Sequence, residues 1–316
     1  MTERPRLLLL GTASDRIQAR LNATFDVVSA TDMETALSYP DIEAVAMIGH
    51  WKLDAAAFDR WPDLKIISNF GVGYDTIDAA EAARRGILVS HTPDVLNQEV
   101  ADTTLMLWLA VSRQLIPSEE WARSGTWVEN GNYPLTSSIR NRAVGIVGLG
   151  RIGLEIAELA KVFDARIMYH TRSKKSFEYK YFPDLVEMAR AAEVLIVITP
   201  GGPDTRHLIN AEVIDALGPE GILINVARGS VVDETALTDA LVEGRLGGAG
   251  LDVFDQEPVI PDALKSLKNV VLLPHVGSAT VETRQAMGDL VCDNLDNWLK
   301  TGEVLKPVPE CRDLNG

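Results

Sequence analysis

The chain has 316 residues, of which 46% are hydrophobic and 24% are charged, and its formal net charge is −15 at pH 7. This length predicts two domains, at roughly 150 residues for each. The excess of acidic residues argues against nucleic acid as a partner. No apolar run reaches the length of a membrane span, and Cys292 and Cys311 show neither a disulfide framework nor metal-ligand spacing. We therefore expect a cytoplasmic protein with no membrane partner.

The first part of the chain alternates between short apolar runs and helical patterns. One such helical pattern covers residues 77–85. The βαβ alternation predicts a small doubly wound domain built on a parallel sheet. The candidate strands are 6–11, 26–29, 44–49, 65–69 and 87–90.

A long, strongly apolar helix is predicted next, over residues 97–113. The segment that follows it, 117–140, lacks strand periodicity and contains Trp127 and Tyr133. Aromatic side chains in an irregular stretch are typical of an interface between molecules. The same segment could instead cover its own domain.

A glycine-rich turn then follows an apolar strand. Residues 142–147 lead directly into Gly148-Leu-Gly-Arg-Ile-Gly153, and a helical pattern begins at Leu154. The glycines permit a tight turn and a close approach of a pyrophosphate, whose charge the helix N-terminus favours. Because the strand comes before and the helix after, we prefer a dinucleotide-binding turn to a merely structural one.

The end of the second strand of this domain, at 165–169, indicates which dinucleotide binds. Sites for NAD usually place an acidic residue there, to bind the ribose hydroxyls. In this chain Thr171 stands in that place and Arg172, Ser173 and Lys174 follow it. These side chains are suited to a 2′-phosphate, so we favour NADP, with NAD possible. The alternative is a basic surface loop that only balances an acidic protein.

Three later apolar runs each end in a reactive side chain. Segments 221–228, 250–257 and 270–275 are interpreted as short buried strands that finish with Arg228, Glu257 and His275. In an open parallel sheet, ligands bind outside the carboxyl ends of the strands. We therefore expect these three side chains to meet over one small substrate.

The three side chains together suit the reduction of a keto acid. A protonated His275 can give a proton to the carbonyl oxygen, and a carboxylate such as Glu257 favours that protonated form. The forked cation of Arg228 suits a bidentate grip on a carboxylate. Taken singly, Arg228 could be a surface cation, Glu257 a turn residue and His275 a loop histidine. Their occurrence at three strand ends favours catalysis.

A final helical pattern, 281–299, returns the chain to the first domain. We therefore expect a dinucleotide-binding Rossmann domain at 99–282, inserted into a substrate-binding domain made of 1–98 and 283–316. The predicted class is α/β, with two doubly wound domains that are Rossmann-like or flavodoxin-like.

Several motifs occurring together resemble the D-isomer-specific 2-hydroxyacid dehydrogenases over nearly the whole chain. Within that family the sequence is most similar to the glyoxylate/hydroxypyruvate and hydroxyphenylpyruvate reductases. The motifs are Gly148-Leu-Gly-Arg-Ile-Gly153, Asn225-Val-Ala-Arg-Gly-Ser-Val-Val-Asp-Glu-Thr-Ala-Leu237, Gly250-Leu-Asp-Val-Phe-Asp-Gln-Glu-Pro258 and Pro274-His-Val-Gly-Ser-Ala-Thr280.

The resemblance implies a catalytic set of Arg228, Glu257 and His275, with Arg228 and His275 also contacting the substrate. It implies that the backbone N–H groups of Val72 and Gly73 bind the substrate carboxylate, and that 117–140 is a dimerisation arm of a homodimer. The implied cofactor contacts are Gly148, Leu149, Gly150, Arg151, Ile152, Gly153, Thr171, Arg172, Ser173, Lys174, Thr199, Pro200, Val226, Ala227, Arg228, Asp252, His275 and Gly277.

The substrate itself is less defined by the sequence. Trp51 follows a predicted strand and could limit the substrate pocket or stack on an aromatic substrate, or simply pack on its own domain. We expect a small 2-keto or 2-hydroxy acid of the glyoxylate or hydroxypyruvate type, and no metal site. The alternatives are a hydroxyphenylpyruvate reductase, another dehydrogenase of this fold, and a non-catalytic dinucleotide-sensing protein that resembles a corepressor.

Overall fold

The computed structural model describes residues 4–316, which form two compact units. The first unit runs to Leu96 and resumes at Thr280–Gly316, and the second unit is Asn97–Ala279. The second unit is therefore inserted into the first. Among the described residues, no helix has the length and apolar composition needed to cross a membrane.

The first unit is built on a parallel sheet whose strands have the order β2-β1-β3-β4-β5. This order is that of the flavodoxin-like doubly wound folds. Its elements up to residue 90 are β1 (Arg6–Leu10), α1 (Asp15–Thr24), β2 (Asp26–Ala30), α2 (Met33–Leu37), β3 (Ala44–Met47), α3 (Ala55–Phe58), β4 (Ile66–Asn69), α4 (Ala79–Arg84) and β5 (Leu88–Ser90).

The second unit begins with helices and continues with alternating strands and helices. Its helices are α5 (Asn97–Ser112), α6 (Leu115–Arg123), α7 (Thr126–Asn130), α8 (Arg151–Lys161), α9 (Leu185–Ala191), α10 (Ala211–Leu217), α11 (Glu234–Val242) and α12 (Asp262–Ser266). Its strands are β6 (Ala143–Val147), β7 (Arg166–His170), β8 (Lys180–Tyr181), β9 (Val194–Val197), β10 (Ile222–Asn225), β11 (Gly248–Leu251) and β12 (Val270–Leu272).

The strands of the second unit form a parallel sheet in the order β12-β11-β10-β9-β6-β7-β8. From β8 to β11 this is the Rossmann order 3-2-1-4-5-6, and β12 extends the sheet by one strand. Strands β6 and β9 are buried throughout because helices cover both faces of the sheet. The order reverses between β6 and β9, which is where ligands of such sheets bind.

Helix α13 (Val281–Thr301) returns the chain to the first unit. The hydroxyl of Thr280 caps it by accepting a hydrogen bond from the N–H of Thr283 at 3.2 Å. Gly302, with a φ of 81°, ends it in the left-handed conformation that favours glycine. Val291 and Leu295 of this helix lie in the apolar core of the first unit.

The predicted α/β class is confirmed, and one doubly wound unit is inserted into the other. Segment 117–140, which was predicted to be irregular, is different. Helices α6 and α7 occupy much of it, and neither helix has a buried residue. Prediction of a helix from sequence relies on apolar periodicity, and in helices of nine and five residues that pattern is too short to be distinctive.

Candidate active site

The glycine turn lies between β6 and α8 of the second unit. Gly148 has a φ of 104°, and a Cβ atom placed on it would come within 2.8 Å of the backbone of Ile198 and Thr199. A Cβ on Gly153 would overlap the carbonyl oxygen of Gly148. Both positions therefore require glycine, because only glycine lets the helix start so close to the strand.

Unlike Gly148 and Gly153, Gly150 has open space beside it, where a cofactor phosphate could lie. It is the N-cap of the 11-residue helix α8, and a Cβ placed on it would meet no atom within 4 Å. Open space at a helix N-terminus leaves backbone N–H groups accessible to an anion. The turn therefore fits the pyrophosphate of a dinucleotide.

The loop after β7 contains the residues predicted to select NADP. The hydroxyl of Thr171 donates to the carbonyl oxygen of Ser173 at 2.7 Å, and the hydroxyl of Tyr181 donates to the carbonyl oxygen of Thr171 at 3.2 Å. These bonds order the loop backbone. The side chain of Arg172 is 94% exposed and lies 4.0 Å from the carboxylate of Asp204. It is therefore accessible to a phosphate.

His275 and Glu257 are in direct contact. The imidazole Nδ1 of His275 lies 2.8 Å from Oε2 of Glu257. The other carboxylate oxygen, Oε1, accepts a hydrogen bond from the N–H of Phe254 at 3.0 Å. Their side chains keep about 30% of their surface exposed, so the pair is open to a ligand.

The sequence placed Glu257 at the end of a strand, but β11 ends at Leu251. Glu257 reaches His275 from the loop that follows. A further carboxylate, Glu234, holds that loop by accepting a hydrogen bond from the N–H of Asp255 at 3.1 Å. Burial raises the pKa of Glu234. No motif spacing in the sequence connects Glu234 with residue 255, so this contact was not predicted.

Asp252 orders the backbone around His275. Its carboxylate oxygens accept hydrogen bonds from the N–H groups of Val276 at 2.7 Å and Gly277 at 2.8 Å. Its carbonyl oxygen accepts from the N–H of His275 at 2.8 Å. Only 2% of the residue is exposed, and burial raises its pKa above the usual 3.8. His275 itself has a φ of 55°, so these bonds stabilise a backbone conformation that few side chains adopt.

Arg228 lies just after β10, on a short turn shaped by a buried asparagine. The side chain of Asn225 donates to the carbonyl oxygen of Arg228 at 3.0 Å and accepts from the N–H of Ala227 at 3.1 Å. The guanidinium of Arg228 donates to the carbonyl oxygen of Ala227 at 2.8 Å. Asn225 is the first residue of the motif at 225–237, but its role in shaping this turn was not predicted.

One edge of the second-unit sheet collects these groups. The glycine turn follows β6, and Thr199, Arg228, Asp252 and His275 follow the carboxyl ends of β9, β10, β11 and β12, which are consecutive neighbours. The remaining residues predicted to contact the cofactor also follow these strands. They are Leu149, Arg151, Ile152, Pro200, Val226 and Ala227.

In the first unit, the predicted substrate residues follow two neighbouring strands. Val72 and Gly73 come after β4, and Trp51 comes after β3. The indole N–H of Trp51 donates to the carbonyl oxygen of Ile48 at 2.8 Å, and the ring packs partly buried against the core of its own unit. A contact between Trp51 and a substrate stays a prediction.

A Rossmann sheet with a glycine turn at its reversal point and a histidine–carboxylate pair on the same edge defines a dinucleotide-dependent dehydrogenase. Comparison with known families agrees. Residues 105–277 match the NAD-binding domain of the D-isomer-specific 2-hydroxyacid dehydrogenases, and the chain belongs to this family. It is therefore an NAD(P)-dependent oxidoreductase acting between 2-keto acids and D-2-hydroxy acids. The predicted resemblance is confirmed.

Individual relatives are similar over most of their length. Hydroxyphenylpyruvate reductase of Plectranthus scutellarioides is 49% identical, over 86% of this chain and 87% of the relative. Glyoxylate/hydroxypyruvate reductase A of Arabidopsis thaliana is 48% identical, over 81% and 82%. The crystal structure of an NADPH-dependent glyoxylate/hydroxypyruvate reductase from Sinorhizobium meliloti, with NADP and malonate, is 50% identical with a TM-score of 0.93, over 98% of each chain.

Proposed function

We propose that this protein uses NADPH to reduce a small 2-keto acid, of the glyoxylate or hydroxypyruvate type, to the 2-hydroxy acid, which is the D isomer where the product is chiral. The observation that carries the proposal is the 2.8 Å contact between Nδ1 of His275 and Oε2 of Glu257. This pair lies on the sheet edge that also carries the glycine turn. The substrate type is supported by the names of the similar reductases.

The proposed chemistry divides among three side chains. When bound, the nicotinamide supplies the hydride that adds to the carbonyl carbon of the substrate. His275 donates its proton to the carbonyl oxygen, and Glu257 stabilises the imidazolium before that transfer. Arg228 binds the substrate through its forked N–H groups and stabilises the negative charge that grows on the oxygen.

The cofactor assignment rests on three features of the second unit. The open N-terminus of α8 at Gly150 would hold the pyrophosphate, and Asp252 would order the backbone at Gly277 against the cofactor. Arg172, Ser173 and Lys174 would bind a 2′-phosphate, which adds negative charge and strong hydrogen-bond acceptors. The hydroxyl of Thr171, which donates to the carbonyl oxygen of Ser173, would order their loop. The NADP in the similar Sinorhizobium meliloti structure supports NADP over NAD.

The first unit, up to Leu96 and from Thr280 onward, is proposed to bind the substrate, and the second unit the dinucleotide. From the family resemblance, we assign the N–H groups of Val72 and Gly73 to the substrate carboxylate. Trp51 is the residue of this unit proposed to limit substrate size.

A substrate panel tests the function. The purified protein is assayed with glyoxylate, hydroxypyruvate and hydroxyphenylpyruvate, each with NADPH and with NADH, by following absorbance of the reduced cofactor. We expect the highest kcat/KM with NADPH and one of the two small acids. A preference for hydroxyphenylpyruvate would assign an aromatic substrate, for which the relative from Plectranthus scutellarioides is the precedent. Tight dinucleotide binding without turnover would indicate a sensor.

We further propose that the protein is a homodimer. An apolar groove of about 500 Å³ lies on the second unit, between α5, the start of α6 and the end of α8. Met106, Leu115 and Val162 line it with 48%, 52% and 67% of their surface exposed. Exposed apolar residues grouped in this way mark an interaction surface. Leu135, fully exposed in the predicted arm, adds to the apolar surface of this unit.

A cytoplasmic location is proposed on the state of the two cysteines. Cys292 and Cys311 are both free and buried in the first unit. Burial raises the pKa of the Cys292 thiol to about 11, which makes it a core group rather than a reactive one. Unpaired buried thiols are typical of proteins from a reducing compartment.

A further inference from the structure

The loop after β4 has its carbonyl groups held by side chains of the same unit. The side-chain amide of Asn69 donates to the carbonyl oxygens of Gly71 at 3.2 Å and Gly73 at 3.0 Å. Nδ1 of His91 lies 3.0 Å from the carbonyl oxygen of Val72. A carbonyl oxygen only accepts, so Nδ1 carries the proton in this bond. Three consecutive carbonyl groups are therefore fixed.

Fixing these carbonyl groups also fixes the N–H groups of the loop. A trans peptide is planar, so its N–H points opposite to its C=O. The carbonyl of Gly71 shares a peptide with the N–H of Val72, and the carbonyl of Val72 shares one with the N–H of Gly73. Within residues 4–316, the structure gives neither N–H a hydrogen-bond partner. Both remain available to an anion.

The two side chains that hold the loop are themselves well supported. Asn69 is 2% exposed at the end of β4. The backbone N–H of His91 donates to the carbonyl oxygen of Lys306 at 3.1 Å, and its imidazole meets the ring of Tyr74 edge to face at 5.7 Å. The hydroxyl of Tyr74 donates to Glu310 at 3.1 Å. The C-terminal segment therefore supports His91 directly through Lys306 and indirectly through the contact of Glu310 with Tyr74.

We propose that His91 and Asn69 are positioning residues, which orient the N–H groups of Val72 and Gly73 for the substrate carboxylate. The proposal rests on the proposed function, because it requires those N–H groups to bind the substrate. In this proposal His91 acts on the substrate site through the carbonyl oxygen of Val72. Its removal should therefore weaken carboxylate binding and leave dinucleotide binding unchanged.

A pair of substitutions at one position separates this role from a general structural one. His91→Leu keeps most of the side-chain volume but lacks the donor, whereas the amide of His91→Asn can place a nitrogen close to the Nδ1 position. For His91→Leu we expect KM for the keto acid and Ki for oxamate, a carboxylate analogue of a 2-keto acid, to rise together by roughly 2- to 12-fold, the equivalent of one net hydrogen bond. His91→Asn should restore both, and Kd for NADPH should stay within twofold of wild type in either variant.

Asn69 provides an independent measurement. Asn69→Ser keeps a donor that is too short to reach both carbonyl oxygens, and it is expected to raise KM and Ki in the same way. Unchanged KM and Ki in His91→Leu would overturn the positioning role while leaving the proposed function intact. Equal losses in His91→Leu and His91→Asn, or a parallel loss of NADPH affinity, would also overturn it. A wild-type protein that reduces none of the keto acids would overturn the proposed function, and this inference with it.

Discussion

Nδ1 of His275 lies 2.8 Å from Oε2 of Glu257, and the second oxygen of the same carboxylate is held by the N–H of Phe254. Because the carboxylate is fixed by the backbone, it also fixes the plane of the imidazole and its tautomer. The other ring nitrogen, Nε2, is then the atom proposed to face the substrate. This relationship makes the roles of the two residues separable by experiment.

Replacing His275 with asparagine should remove the proton donor while retaining the backbone conformation. Asparagine is among the residues that best tolerate a positive φ, here 55°. We expect kcat for keto-acid reduction to fall by about 10²- to 10⁴-fold, the usual contribution of a general acid. Kd for NADPH, measured by fluorescence titration, should change little.

His207→Asn is the matched control. His207 belongs to the same unit, has a φ of 49°, and lies 3.9 Å from the carboxylate of Asp233. This variant should keep wild-type turnover. Near-normal kcat in His275→Asn would refute the assignment of His275 as the acid.

Replacing Glu257 with glutamine should change the pH dependence of the reaction more than the shape of the site. Glutamine keeps the length of the side chain but removes the negative charge that favours the imidazolium. Ketone reduction needs the protonated form, so the alkaline limb of the kcat/KM profile should move to lower pH. A pH profile that superimposes on that of the wild type would show that Glu257 does not act through His275.

The glycine turn and the candidate strands were predicted well from the sequence because both depend on local spacing. Gly148, Gly150 and Gly153 stand at fixed distances, and the apolar runs of the parallel strands are continuous. Strand ends were less accurate. Glu257 was expected at the end of a strand but lies in a loop six residues beyond Leu251, because the apolar run continues past the last ladder hydrogen bond.

The residues that support the site were harder to predict, since they act on backbone groups distant in sequence. His91 holds the carbonyl oxygen of Val72, and Glu234 holds the N–H of Asp255. Such bonds depend on which loops the fold brings together, and no periodicity or motif encodes them. The role of Asp252 in ordering the backbone after His275 is of the same kind.

Arg172→Ala should lower the selectivity for NADPH. The guanidinium is almost fully exposed, and its proposed bond to the 2′-phosphate is charge-assisted, so kcat/KM with NADPH should fall roughly ten- to hundredfold. The value with NADH should remain near wild type, because NADH lacks that phosphate. Arg190→Ala, at an exposed arginine paired with Glu187, is the control. Equal losses with both cofactors would argue against phosphate recognition by Arg172.

The buried carboxyl of Asp252 should make stability depend on pH in the acid range. Burial raises its pKa in the folded protein above the usual 3.8, so the folded state binds a proton that the unfolded chain does not. The carboxyl therefore favours folding more as the pH falls towards 3.8, and this contribution is lost as the pH rises through the folded pKa. Urea titrations measure the free energy of unfolding of the wild type and of Asp252→Asn. The wild-type value minus the variant value should increase over this window as the pH is lowered. A difference that decreases instead would contradict the raised pKa.

The apolar groove on α5, α6 and α8 should determine the oligomeric state. Val162→Glu places a charge in the groove, at a side chain that is 67% exposed. Burying that charge in a dimer interface is unfavourable without a partner, so we expect the variant to dissociate at concentrations where the wild type is dimeric. Sedimentation equilibrium measures the masses of the wild type and the variant.

Val242→Glu is the matched control. It makes the same change at a valine of the same unit that is 60% exposed and does not line the groove, and it should remain a dimer. A monomeric wild type, or dissociation caused equally by both substitutions, would show that the groove is not the interface between subunits.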